Sequence, residues 1–438
     1  MADRKLVAHL LRRATFGPTA AEVDAAAARD YRDVVADLIR PGGPEKAAPL
    51  PVFADDPLFG RTEKAAKEAT REQRAQARQL ARDQLTTLTQ AWVGRMATAD
   101  HGFAEKLVFF WHGHWATSAQ KVQSARLMRT QLETFRSLGS GDFGVFARAM
   151  VRDAALVYWL DGQRNTAKAP NENLARELME LFTLGVGAYT EDDVKASAKA
   201  LTGWSLDRAT GAAVFTPRRH AQGSTTILGQ TSAHDADSFV RLLVEQRAHP
   251  EFLAARFWRR FGSGEPLSSS TRDSLVTAYG SGHDVSALLT ALFTADAFGS
   301  AAGQLVKQPV EWAVGALRQL GVPAKGKALT SALNATRGMG QVPLRPPSVG
   351  GWPAGTAWLT TSSLQARMRG AAAIASALPE STVSALGSGS AATKIETLGR
   401  LLAVDAWTDR THKALTEAAK KPQRLVTLAL ISPEYAVS

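Results

Sequence analysis

The chain has 438 residues, a formal net charge of +11 and no cysteine. The missing cysteines exclude disulfides, thiolate metal sites and a cysteine nucleophile, so any metal must be held by His, Asp or Glu. Hydrophobic residues make up 45% and charged residues 21%, enough for a sizeable core, and no apolar run is long enough for a membrane span. The opening MADRKLVAHLLRRATFG lacks the apolar core of a signal peptide. The expectation is a cytoplasmic protein as written, exported if a leader was removed. The basic balance points to an anionic polymer as a partner. Because lysines and arginines are interleaved with acids and no nucleic-acid signature appears, nucleic acid ranks low as a partner.

In chain order, residues 2–13 read as a helix broken at Thr15-Phe16-Gly17-Pro18. Thr19 with Glu22 forms a capping-box signal for the next helix, which continues or restarts through Tyr31–Ile39. Residues 41–60 are proline-rich and read as an irregular loop. Arg61 to Asp100 is a long, mostly polar helical pattern, followed by an apolar stretch from Phe103 to Trp115. Further helices are predicted over Val122–Leu138 and Phe143–Trp159. Asn171 to Trp204 reads as two helices joined by glycines, with Asn171 as N-cap and Asp192 and Asp193 in the first turn of the second. Ala212–Phe215 and Thr225–Leu228 are the only credible strands, arms of a small hairpin. Helices then resume to the C-terminus, interrupted by a Gly/Pro/Trp loop over 338–358 that is too long for an ordinary connection. The expected architecture is an all-α, multi-helix body with at most one small β-hairpin. Residues 1–438 form one helical unit, with an N-terminal lobe at 1–204, a hairpin insertion at 205–233 and a C-terminal lobe at 234–438.

Chemistry is sought first on the helix after Asn171. Asn173, Glu177 and Glu180 fall at i, i+4 and i+7 on one polar arc and are candidates to face a cleft, with Arg176 beside them. The plain alternative is a solvated face with an Arg176–Glu180 pair. Histidine is scarce, nine in all, yet two fall in Trp111-His112-Gly113-His114-Trp115. On a strand, His112 and His114 would share a face and could hold a metal. On a continuous helix they diverge by about 200° and cannot chelate together, unless Gly113 lets the chain leave the helix between them. His220 is a third candidate ligand, and these histidines with Glu177 or Glu180 would suit zinc, iron or manganese. A metal-free version pairs Glu177 with Glu180 or Asp161 as acid and base. Trp352 and Trp358 are candidates for a stacking platform for a flat ligand. No GxSxG, GxGxxG or P-loop is present.

Several stretches together resemble a known family. They are His9 to Gly17, Phe110 to Trp115, Tyr158 to Gly162, Asn171 to Leu178, Leu201 to Trp204, Lys307-Gln308-Pro309-Val310-Glu311, and Met339-Gly340-Gln341 to Trp352. In this order they resemble the bacterial family catalogued as domain of unknown function 1800. The resemblance implies no settled activity. It implies a large bacterial protein, often exported and frequently encoded beside a sulfatase-like partner. The sequence departs from the family pattern after His220, where Ala221 and Thr225 stand in place of an aspartate and a lysine. Two readings follow. One is a metal- or carboxylate-assisted enzyme, a hydrolase or oxidoreductase, with Glu177, Glu180 and Asp161 as catalytic candidates and His112, His114 and His220 as ligands. In that reading Asn173, Arg176, Trp352 and Trp358 contact the substrate. The other is a non-catalytic binding or assembly protein that uses the Trp-rich loop and a basic surface.

Overall fold

The computed structural model describes residues 2–59, 68–207 and 210–438, so the start of the predicted Arg61–Asp100 helix, residues 61–67, lies outside the described residues. Helices dominate, as the sequence patterning predicts. The first runs Arg4–Ala14 with Asp3 as its N-cap, and Thr19 and Glu22 close a reciprocal capping box on Ala20–Ala27. The long polar helix is Arg71–Thr98, held on the core by Leu85, Leu88, Trp92 and Met96. The predicted Phe143–Trp159 helix is two helices, Phe143–Met150 and Ala154–Trp159, because Asp153 restarts the chain as an N-cap whose side chain accepts from Leu156 N.

The two segments read as strands are both extended, but they do not pair with one another. Ala213–Phe215 pairs antiparallel with Trp204–Leu206, and Thr225–Ile227 pairs with Gln230–Ser232. Each is a three-residue ribbon on the helical body. Among the described residues no helix is long and apolar enough to cross a membrane.

Among the described residues, two large apolar cores organise the chain, beside a small cluster of Val7, Ala8, Leu11 and Val23. The larger gathers side chains from Leu10 to Leu344 and includes the helices between Ala236 and Phe298. The smaller runs from Trp312 to Tyr435. A boundary at 234 therefore passes through the first core. The helix Pro309–Gln319 joins the two: Val310 and Val314 pack into the larger core, Trp312, Ala313, Ala316 and Leu317 into the smaller. Its first turn carries Glu311, and the site described next is built around that turn.

Candidate functional site

Gly102–His114 is one uninterrupted helix through Trp111-His112-Gly113-His114. The histidines therefore sit on different faces, as a continuous helix requires. His112 is fully buried, packed edge-on against Trp92 and Trp352 with ring centroids 5.2 and 5.3 Å away. Burial drives its pKa down to about 3. Gly113 does not break the helix. It lets the 338–358 loop lie on the helix backbone: Gly351 has φ +82°, and a Cβ there would stand 2.3 Å from Gly113 O. This contact seats Trp352 against Phe109, with centroids 6.0 Å apart and planes 29° apart.

His114 points elsewhere, toward the end of the helix that begins at Asn173. That helix widens into a π-turn over Leu178–Thr183, a departure from α geometry often found near functional sites. Phe182 O and Thr183 O in its last turn are taken up by His114 Nε2 at 3.0 Å and His249 Nδ1 at 3.1 Å. A carbonyl only accepts, so His114 carries its proton on Nε2 and His249 on Nδ1. Tyr279 O–H then donates to His249 Nε2 at 2.7 Å. His114 is pushed well below the ordinary histidine range, first by burial and then by Arg256. It is neutral.

The carboxylates predicted to join these imidazoles are engaged separately. Asn171 Oδ1 accepts from Asn173 N at 3.0 Å, a capping bond to the first residue of the helix Asn173–Glu177, and Asn173 is exposed. Arg176 pairs with Glu172 at 3.1 Å and Glu191 at 2.6 Å, in place of Glu180. Glu180 accepts from Tyr189 O–H at 2.5 Å. Asp161 accepts from Lys121 Nζ at 2.8 Å. His220 Nδ1 lies 3.0 Å from Thr202 O, beside Phe215. Among the described residues no group of three or more His, Asp or Glu is placed to hold a metal ion. The predicted ligand set of His112, His114, His220 and a glutamate does not assemble, because the helix diverges the first two, the Thr202 carbonyl takes up His220 Nδ1, and Tyr189 O–H engages Glu180.

His114 and Trp352 do meet, in a cleft of about 90 Å³ that the sequence reading did not foresee. Its polar lining is Arg256, Arg259, Arg260 and Gln308, and its apolar wall is Phe109, Phe110 and Trp352. Trp358 is buried away from it in packing. The three arginines fall at i, i+3 and i+4 across the end of the Ala248–Phe257 helix and the π-turn Trp258–Gly262 that continues it. That spacing puts them on one face.

Their charge is only partly answered. Arg260 donates to Glu311 Oε1 at 2.7 Å, but no carboxylate within the described residues pairs with Arg256 or Arg259. Arg256 Nε is buried without a hydrogen-bond partner. Burial and the neighbouring Arg259 lower the Arg256 pKa. Arg256 is half-buried, where an unpartnered guanidinium nitrogen is costly, and Arg259 is exposed at the same cleft.

Behind the cleft, Glu311 is buried. Desolvation works to raise its pKa, but Arg260 and Lys106 outweigh it and hold the carboxylate ionised. Lys106 contacts Glu311 directly and also donates to Thr15 O at 2.9 Å. Gln308 N donates to Glu311 Oε2 at 2.8 Å, closing a capping box, and Gln341 bridges Gln308 and Val310 N. Lys307 is buried over the Tyr435 ring at 3.7 Å and lowered to about 7, first by burial and then by Arg12.

Most of these residues belong to stretches already singled out in the sequence. His9 to Gly17 supplies Thr15, Phe110 to Trp115 supplies His114, Lys307 to Glu311 supplies Gln308 and the carboxylate, and Met339 to Trp352 supplies Gln341 and the indole. A family model described as a protein of unknown function, DUF1800, matches residues 9–437. No curated protein and no solved structure matches the chain. On a match of nearly its whole length, the chain belongs to the DUF1800 family.

Proposed function

We propose that the protein binds a small anionic group in the arginine cleft, with Trp352 and Phe109 walling the apolar part of the same ligand. The observation that supports this most is the pair Arg256 and Arg259: two guanidinium groups at a cleft, without a carboxylate partner among the described residues. Guanidinium forks match carboxylate or phosphate oxygens two at a time. Gln308 adds a neutral polar contact at the rim, and neutral His114 leaves the arginines as the source of positive charge. This is the binding reading of the Trp-rich loop, narrowed from a basic surface to one cleft.

The test is calorimetric titration with methylphosphonate at low and moderate salt. Arg256→Ala and Arg259→Ala should each weaken binding about tenfold, in line with the loss of one charged hydrogen-bonding partner. Equal affinity in both variants and the parent protein would refute the proposal.

A second reading, carboxylate-assisted hydrolysis or oxidation, is favoured by one observation. Glu177 is pushed above the ordinary carboxylate range, first by burial and then by Glu180. A proton held there would suit a general acid. Neither glutamate is part of the arginine cleft lining. Turnover lost in Glu177→Gln without loss of melting temperature would revive this reading.

A further inference from the structure

The arginine cleft does not end at Arg260. A second hollow of about 30 Å³ shares Arg259, Arg260, Gln308 and Ala354 with the first and continues to Arg13 and Glu311. Arg13 is only 2% exposed. Its Nη2 donates to Ala301 O at 2.6 Å, but Nε and Nη1 have no partner. Two orphaned donors on one buried guanidinium, at the wall of an open hollow, are an arrangement that an anion satisfies.

The surrounding charge agrees. Arg13, Lys106, Arg260 and Lys307 all lie within electrostatic reach of Glu311, and that single carboxylate is the acid acting on each of the first, second and fourth. Glu311 is itself committed to Lys106 and Arg260. Arg13 is left without a counter-charge of its own.

We infer that Arg13 forms a second anion subsite, so that the ligand carries two anionic groups, one between Arg256 and Arg259 and the other at Arg13. This rests on the single-anion reading of the first cleft. The shared residues Arg259, Arg260 and Gln308 line the passage between the two ends, and Ala354, exposed at both, leaves room for a linker. The chemical class is a compound with acidic groups at both ends of a short chain or ring, carboxylate or phosphate in type.

The experiment compares one-headed and two-headed probes on the full chain. Methylphosphonate is titrated beside α,ω-alkane bisphosphonates of increasing linker length, and acetate beside the matching dicarboxylates. The expected result is one linker length, in either series, that binds at least tenfold tighter than its one-headed counterpart. Arg13→Met should collapse that ratio toward the twofold that two equivalent heads give by statistics alone. Arg13→Lys, which keeps a charge but not the fork, serves if the methionine variant does not fold, and should collapse it in part. Two-headed probes that gain no more than twofold at any length overturn the subsite, as does a tenfold gain that survives both substitutions. If methylphosphonate and acetate fail to bind at all, the single-anion reading itself has failed, and the second subsite falls with it.

Discussion

Replacing Glu311 by glutamine isolates the charge at the centre of the site. Glutamine suits the third position of a capping box, so the bond from Gln308 N is kept and the helix start is undisturbed. What is lost is the negative charge facing Lys106 and Arg260, whose side chains are 2% and 16% exposed. Breaking a buried ion pair by removing one partner costs about 3–5 kcal/mol, mostly because the remaining charge is left uncompensated. Glu22→Gln is the matched control. Glu22 also closes a capping box and also pairs with an arginine, Arg318, but its side chain is 42% exposed, which limits the expected loss to about 1 kcal/mol or less. Denaturant unfolding at pH 7 compares the two. Glu311→Gln should also regain stability in phosphate, because an anion in the cleft supplies part of the missing charge. A loss at Glu311 no larger than at Glu22 would refute the electrostatic reasoning. The sign with pH follows from the depressed carboxyl: its contribution is complete above the unfolded value of about 4.3 and declines as pH falls below it, a decline absent from the glutamine variant.

Asp153 gives the opposite slope. Burial raises its pKa to about 6 against about 3.9 unfolded, so the folded state holds a proton that the unfolded state has released. Stability should therefore fall between about pH 4 and 6, by up to about 3 kcal/mol. Asp153→Asn should remove that slope while keeping the oxygen that accepts from Leu156 N and Gln131; urea titrations at several pH values check this, and an unchanged slope would count against it. Gly351→Ala places a Cβ 2.3 Å from Gly113 O at φ +82° and should cost about 2–4 kcal/mol, displacing Trp352 from the cleft. Gly355→Ala, at φ +61° with nothing within 4 Å, should cost about 1 kcal/mol, and equal losses in a melting experiment would contradict the close-approach argument.

The helical body was legible because its signals are local. The capping box at Thr19–Glu22 and the acidic first turn at Asp192 and Asp193 depend on residues within one turn of each other. The arginine face at 256, 259 and 260 is equally local, an i, i+3, i+4 set. Dispersed positive charge usually means a solvated surface, so nothing in the sequence marks these three arginines apart from the rest. Scarce histidines and aligned glutamates are the more conspicuous sequence signals, and helical geometry separates them. The pairing of Lys106 with Glu311, or of Gly113 with Gly351, joins residues hundreds of positions apart, and no periodicity encodes which helix faces which. The π-turn at Trp258–Gly262 has the same character: widening the helix by one residue per turn is set by packing against its neighbours. The ribbons were found as strands but mispaired, since three-residue extended segments carry almost no register information.

The most direct test of the central claim is a crystal grown with tungstate, a tetrahedral dianion whose tungsten is located by anomalous scattering. The account predicts a peak in the cleft bounded by Arg256, Arg259 and Gln308, next to the Trp352 ring. An empty cleft, with tungstate bound only at other surfaces, would contradict it.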